Sequence, residues 1–528
     1  MDRIRHKFRV RGHWWFDAGL MGLYSVATDQ TRRLLREDLD LEQESRWPDV
    51  KVTLEADGIV LEAPDDRMKE FLWNCYEVIA ALWWNRSSST QIQKRELVYY
   101  DREKQELECR PKRSPTPIPA LFTGGSSWRV DGEPFDSLPE ELKKRVSTFL
   151  AENKKSLWGK KKILCYGQPV CHPVIEIFPT RELKKTCSVC GEMSVCDKVS
   201  QTSFPFFSSE TATFSFNSEL GPADDICWEC QMLGKFAVHA ALYKKQHDTT
   251  HVIQLSSGDL ETLLFCHDRF GLISPLRGVF DGEDEEQIYY FCNYHCEDPF
   301  LKKAALPYEV LFEFCVAAYD TVMENKRKRM SEETDDELDE ETVRNVSALN
   351  VVMISFDEKG NTFITKELVS YTDTTYIFRL IEYIKRSIRR EAPEEIQKDA
   401  SKFLGLLFRD FALPNPQKPF DPLNGMERNR IFRSVFAKKS ILHAVERFVF
   451  RKSLKAAYPR LDRILFFTKL YELAIHRRDT EDKEGTKMTK DQIKLASNLG
   501  RQIVGAAKEA LMKEGKPDTS VKDRKSVV

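Results

Sequence analysis

Cys187-Ser188-Val189-Cys190-Gly191 and, after a gap of 36 residues, Cys227-Trp228-Glu229-Cys230 are the most informative stretch of this sequence. Two residues between thiolates let both sulfurs of a pair reach one ion at about 2.3 Å, and two such pairs complete a tetrahedron. Gly191 suits the tight turn such a knuckle takes. The spacing predicts a zinc ribbon whose ion is structural, because four thiolates leave no open position for water and so no place for metal catalysis. Free buried cysteines or a redox pair are the competing readings, and Cys196 is the substitute should one of the four not be a ligand.

Around the quartet the chain reads as α+β. The opening alternates Arg3, Arg5, Lys7, Arg9 and Arg11 with Ile4, His6, Phe8 and Val10, the period of a strand. A helix is expected from about Phe16 or Asp17, burying Leu20, Leu23, Tyr24 and Ala27. Val50 to Leu61 predicts a hairpin turning at Asp57-Gly58. Helices follow over 65–84 and 138–150, then a Phe-rich hairpin near 203–216, a helix over 228–244 and another over 308–326. Strands resume at 348–356, and from Thr374 to about Met512 the pattern is helical. The expected organisation is a mixed α/β body (1–164), an inserted zinc ribbon (165–235), the rest of the body (236–372, with a charged linker at 326–343) and an all-α bundle (373–528).

At 528 residues the chain is too long for one core, and 41% hydrophobic with 31% charged residues fits a soluble protein. No run approaches the length of a membrane helix, and the apolar stretch from Trp14 to Ala27 lacks the features of a signal peptide. A cytoplasmic location is therefore expected, with the 13 Cys reduced. Charge is unevenly spread. From Met426 onward there are 25 Lys and Arg against 13 Asp and Glu, a net of +12, while residues 1–425 carry a net of −14. A sustained basic module points to a polyanionic partner rather than a merely solvated surface. In Ser440 to Ala456, Ile441, Val445, Phe448 and Val449 make an apolar stripe, and Arg447, Arg451 and Lys455 recur every four residues on the wet face. With Lys452 and, on the next helix, Arg463, they are candidate contacts to a phosphate backbone. Arg9 and Arg11, the loop pairs Asn85-Arg86 and Trp128-Arg129, and the turn Lys160-Lys161-Lys162 are the others.

Weaker signals remain. Cys165 with Cys171-His172, and Cys292 with His295 and Cys296, could ligate a second ion. His267-Asp268 resembles a ligand pair of metal-dependent phosphohydrolases but lacks further histidines around it. No phosphate-binding loop, nucleophile elbow or dinucleotide fingerprint is present.

The quartet, the opening Gly12-His13-Trp14-Trp15-Phe16-Asp17-Ala18-Gly19-Leu20 and the basic helical end together resemble the CXXC–CXXC family of CRISPR-associated proteins, the large subunits of type I-B Cascade complexes. The resemblance implies a non-catalytic subunit that works with a guide RNA and with backbone and handle-binding subunits. Its α/β body would recognise the protospacer-adjacent motif in double-stranded target DNA, with Trp128 or the lysine turn as wedge. Its helical end would support the displaced single strand, and a helicase-nuclease or a transposon would act downstream. The end resembles a small subunit, so Met426, with Met330 and Met353 as rivals, could start a separate product. A metal-dependent nuclease built on His267 and Asp268, or a stand-alone zinc-ribbon DNA-binding protein, are the alternatives.

Overall fold

The structure is a computed structural model that describes residues 3–28, 49–82, 98–109, 128–129, 131–159, 161–166, 170–171, 173–178, 185–199, 203–204, 225–246, 249–269, 279–281, 290–294, 296–329, 338, 340–359, 362–413, 425–454 and 461–478. It is α+β and divides into two compact units. The first takes residues 1–295, 324–326 and 339–374, and the second takes 296–323, 327–338 and 375–528.

In the first unit, strand β1 (Arg3–Arg9) and helix α1 (Trp14–Ala27) precede the hairpin β2 (Lys51–Glu55) and β3 (Gly58–Pro64). β3 lies between β1 and β2, all antiparallel. The turn is Ala56-Asp57 rather than Asp57-Gly58. Gly58 already belongs to β3, where a β-carbon would stand 2.3 Å from the Phe8 carbonyl oxygen. After α2 (Asp65–Leu82), strands β4 (Val98–Asp101), β5 (Glu106–Cys109), β7 (Gly132–Pro134) and β8 (Ile163–Cys165) form a small sheet. The helix α3 (Glu140–Asn153) covers it through Val146, which packs with Val98, Leu138 and Leu164. β6 (Trp128–Arg129) pairs with β9 (Val170–Cys171), so this pair sits in a strand and not in a loop.

The cysteine segment contributes four short strands, β10 (Lys185–Thr186), β11 (Met193–Ser194), β12 (Cys196–Lys198) and β13 (Asp225–Cys227), and leads into α4 (Trp228–Ala240). The helix expected to run on to Lys244 stops at Ala240, because Leu242 to Gln246 form strand β14. With β15 (Thr249–Ser256), α5 (Leu260–Arg269), β16 (Val279–Asp281) and β17 (Tyr290–Cys292), it starts the main sheet. The chain then makes α6 (Pro307–Arg329) and α7 (Glu340–Ser347) and returns for β18 (Asn350–Lys359) and β19 (Thr362–Tyr371). The sheet order is β16-β17-β14-β15-β18-β19, antiparallel throughout. Cys292, Lys244, His251 and Ser355 share one register row across it, all buried, with His251 Nδ1 2.7 Å from Ser355 Oγ.

Helices α1 and α4 form the centre of this unit. Eleven of the fourteen residues of α1 are buried, so it is apolar all round rather than amphipathic. A β-carbon on Gly19 would lie 2.1 Å from the Leu233 carbonyl oxygen, and one on Gly22 2.1 Å from that of Phe236. The register climbs three residues on each helix, so the two run parallel with backbones in contact. Backbone cannot swing aside as a flexible side chain can. Gly22→Ala is therefore expected to destabilise the protein by about 2–3 kcal/mol, the upper part of the overpacking range. Gly258→Ala, where nothing lies within 4 Å, should be near neutral in the same thermal melt.

The second unit contains, among the described residues, helices and no strand. After α6 come α8 (Thr374–Glu391), the single-turn α9 (Glu394–Gln397), α10 (Phe403–Asp410), α11 (Met426–Phe436), α12 (Leu442–Leu454) and α13 (Leu461–Arg478). Its core is aromatic: Phe432 stacks on Phe312 at 4.2 Å, and Phe411 meets Phe448 and Phe467 edge-on. Two expectations about organisation change here. Residues 296–323 group with the helical unit and not with the α/β body. Lys326 to Arg329, expected in a linker, are the last turn of α6, and Glu340-Glu341 open α7. Residues 205–216 of the Phe-rich hairpin between the knuckles, Pro414 to Pro422 and everything beyond Arg478 fall outside the described residues.

Candidate metal centre

The two Cys-x-x-Cys pairs come together. The sulfurs of Cys187, Cys190, Cys227 and Cys230 all lie within 4.8 Å of one another, the sole such group of metal-binding side chains among the described residues. The first pair sits on a tight turn: Gly191 N–H donates to the Cys187 carbonyl at 2.9 Å, and Gly191 has φ +73°, where a side chain would be strained. The second pair spans the step from β13 into α4. Its backbone amides donate to sulfur, Cys227 N–H to Cys187 Sγ at 3.3 Å and Cys230 N–H to Cys227 Sγ at 3.4 Å.

The dimensions suit a four-sulfur metal site. Metal–sulfur bonds of about 2.3 Å give a tetrahedron with edges near 3.8 Å, and Cys190 Sγ lies 3.8 Å from Cys227 Sγ. The thiols also cannot settle their charges among themselves. Hydrogen bonds from Cys190, Cys227 and Cys230 hold Cys187 far below the usual thiol range. Cys190 is pushed up by Cys187 but drawn down further by Cys227 and Cys230, to about 7. Cys227 and Cys230 are both pushed up, by Cys187 first and then Cys190. A divalent cation removes the conflict, because it stabilises all four as thiolates. With every position filled by sulfur, an ion held there would be structural.

The site is tied to the chain's opening. Arg11, whose side chain is 3% exposed, forms an ion pair with Glu229, between Cys227 and Cys230. Burial works against the Arg11 charge, but Cys230, Glu229, Cys190 and Cys227 outweigh it and hold the guanidinium pKa above its ordinary value. Arg11 N–H donates to Asp17 at 2.6 Å, and Trp15 Nε1 donates to the Ser203 carbonyl at 2.8 Å. Trp228 meets Phe8 of β1 edge-on, with ring centroids 6.0 Å apart. The Arg11 side chain is thus buried against the four-cysteine site and not the exposed cation the sequence suggests. Sequence alone could not pair it with Glu229, 218 positions away. Cys196 is not a ligand here; its Sγ is directed at the Lys185 carbonyl, 3.7 Å away.

The remaining candidates divide by burial. Arg9 is exposed on β1, and Lys161 and Lys162 are exposed on a turn. Asn85, Arg86, Lys160 and Lys455 lie outside the described residues. On the helical unit, Arg447 and Arg451 are half exposed, as expected. Lys452 and Arg463 are corrections: both are buried, Lys452 donating to the Asp410 carbonyl and Arg463 Nε pairing with Asp410 Oδ2 at 2.7 Å. A buried cation needs a partner at once, and Asp410 serves both, so neither faces solvent.

The other metal signals did not gather. Cys165 is buried, its thiol pushed up to about 12, first by burial and then by Asp131. His172 and His295 lie outside the described residues, so neither second-ion set is complete among those described. His267 is buried on α5 beside His239, which in turn lies 3.4 Å from Ser25 Oγ. Burial lowers the His267 pKa to about 4. No protein-family model and no curated protein matches the chain. No helix among the described residues is long and apolar enough to cross a membrane.

Proposed function

We propose that this chain is a zinc-stapled, non-catalytic large subunit of an RNA-guided DNA-binding complex of the type I CRISPR kind. In this reading the α/β unit recognises the protospacer-adjacent motif in duplex DNA and helps open it, and the helical unit supports the displaced strand. Guide RNA, the complex's backbone and handle-binding subunits and a recruited helicase-nuclease are the partners, in the cytoplasm. The observation that carries the proposal is the meeting of two distant sequence features. The opening motif, from Gly12 to Leu20, packs on the helix that carries Cys230, through Gly19 against Leu233, and Arg11 just before the motif pairs with Glu229 of the same helix. Two of the three features behind the resemblance, the opening motif and the quartet, therefore lie in one structural unit, which supports reading those two together.

Within this reading the four-sulfur centre holds zinc, which binds thiolates tightly and tetrahedrally without redox chemistry. Of the candidate contacts on the α/β unit, Arg9 and the Lys161-Lys162 turn are exposed cations and would face phosphates. The test is to tag the chain in its native host, purify it gently and sequence the bound RNA. Short RNAs sharing a constant flank and carrying many different spacers are the expected result. A chain that comes down with neither RNA nor companion subunits overturns the proposal.

A further inference from the structure

The helical unit carries a second cluster of charge. Glu427, at the start of α11, is buried, with a side chain 6% exposed, and its Oε1 is shared by three arginines. Arg430 Nη1 lies at 3.0 Å and Arg447 Nη2 at 3.5 Å, and Arg451 pairs with the same oxygen. These side chains remain 49%, 44% and 45% exposed. One carboxylate neutralises one cation, so the cluster keeps two positive charges in excess. A carboxylate oxygen accepts about two hydrogen bonds, whereas each guanidinium has five N–H donors in a planar fork. Most donors of all three are therefore left for solvent or for an anion. Glu427 holds them at one point, which lowers the ordering needed when an anion binds.

Beside this cluster is an aromatic ring that packing does not explain. Phe450 is 63% exposed, the most exposed large hydrophobic residue among those described. It lies three residues after Arg447 and directly before Arg451, so on α12 it shares a face with Arg447 and borders Arg451. Glu446 is the acidic residue of that helix and engages His443 at 3.7 Å, one turn away. A lone exposed apolar side chain is ordinary. A flat ring beside a preorganised group of guanidiniums is a different arrangement: phosphate oxygens have donors, and a base has a face on which to stack. The surrounding stretch, Met426 to Arg478, has 14 Lys and Arg against 4 Asp and Glu, which favours a polyanion over an acidic protein segment of few charges.

We infer that Arg430, Arg447 and Arg451, gathered on Glu427, together with Phe450, form a binding site for single-stranded nucleic acid. The arginines take consecutive phosphates and Phe450 stacks under a base. The inference deepens the reading above by assigning the atoms, and rests on it for the partner being a nucleic acid. Its test is separable, since RNA recovery reports on the whole complex and this experiment reports on one helix face.

Full-length protein is titrated into fluorescein-labelled 20-nucleotide dT and rU strands, followed by anisotropy over a series of salt concentrations. Phe450→Ala removes little packing, since the ring is 63% exposed, and should fold like the parent by circular dichroism. It is expected to weaken binding of at least one strand about 5- to 100-fold with the salt dependence unchanged, the signature of lost stacking. Phe450→Trp should restore it. Arg447→Gln with Arg451→Gln leaves Arg430 on Glu427 and should lower the slope of log K against log salt by about 1.4, or 0.7 per phosphate contact. An unchanged affinity in Phe450→Ala overturns the inference. So does displacement of both strands by polyglutamate of equal charge as readily as by unlabelled strand, which would assign the surface to an acidic protein.

Discussion

Cys230→Ser should release the metal and unfold the centre of the α/β unit, the largest effect expected of any single substitution here. Apparent binding energies of four-ligand structural zinc sites in small domains are about 10–16 kcal/mol near neutral pH. A whole domain is stable by only about 5–15 kcal/mol. Cys230 is also in the first turn of α4, which lies with its backbone against α1, so an ion bound there would fix the end of the unit's central helix pair. The parent protein is expected to contain one zinc per chain by mass spectrometry. Replacement by cobalt should give thiolate charge-transfer absorption. Cys230→Ser should contain none and lose helix signal and a large part of its thermal stability. Cys196→Ser is the control: its Sγ lies outside the four-sulfur group, so metal content should be unchanged. A parent without metal, or a Cys230→Ser protein melting with the parent, contradicts the structural role.

The metal centre was readable from the sequence because its geometry is local. A Cys-x-x-Cys pair specifies its own turn, and Gly191 supplies the backbone that turn requires. Two matching pairs then identify each other by chemistry, whatever lies between them. The alternation from Arg3 to Val10 and the hairpin at 51–64 were readable for the same reason: one strand face is recorded residue by residue. Charged residues were misread wherever a distant partner decides their environment. Arg11, Lys452 and Arg463 look like surface cations in sequence, and each is buried because a carboxylate or carbonyl from elsewhere meets it. Their neighbours Arg447 and Arg451 have the same residue type and nearly the same spacing, yet Glu427 leaves them at the surface. The helix expected through Lys244 failed differently. Leu242 to Gln246 carries a helical pattern forward from α4, but pairing on both sides, with β15 and β17, makes it an interior strand. Local pattern cannot reveal partners from residues 249–256 and 290–292.

Acid should unfold the α/β unit well above the pH at which most carboxylates protonate. His239 and His267 are buried next to each other on α4 and α5. Burial is the first cause that lowers them, to about 3 and about 4, with His267 adding to the lowering of His239. In the unfolded chain both titrate near 6.5. Each is thus a group with a depressed folded pKa. Its contribution is complete above 6.5 and is lost as pH falls toward about 4 for His267 and about 3 for His239, because the unfolded chain then binds protons that the folded one refuses. A tenfold change in proton affinity is worth about 1.4 kcal/mol, so the pair together contributes on the order of 5–8 kcal/mol. Asp17 opposes this trend. Burial is the first cause of its rise to about 6, so its contribution is greatest below the unfolded value near 3.8 and is lost as pH rises to 6. Asp17 is one group, and its pKa moves less than that of either ring, so the histidines win. Urea unfolding followed by tryptophan fluorescence should give a free energy that falls by several kcal/mol between pH 7 and pH 4.5. His267→Phe removes one of the refused protons and should reduce that slope by about 1.4 kcal/mol per pH unit. A parent whose stability is flat across this range, or a His267→Phe protein that keeps the full slope, would show that the two rings do not stay neutral in the folded core.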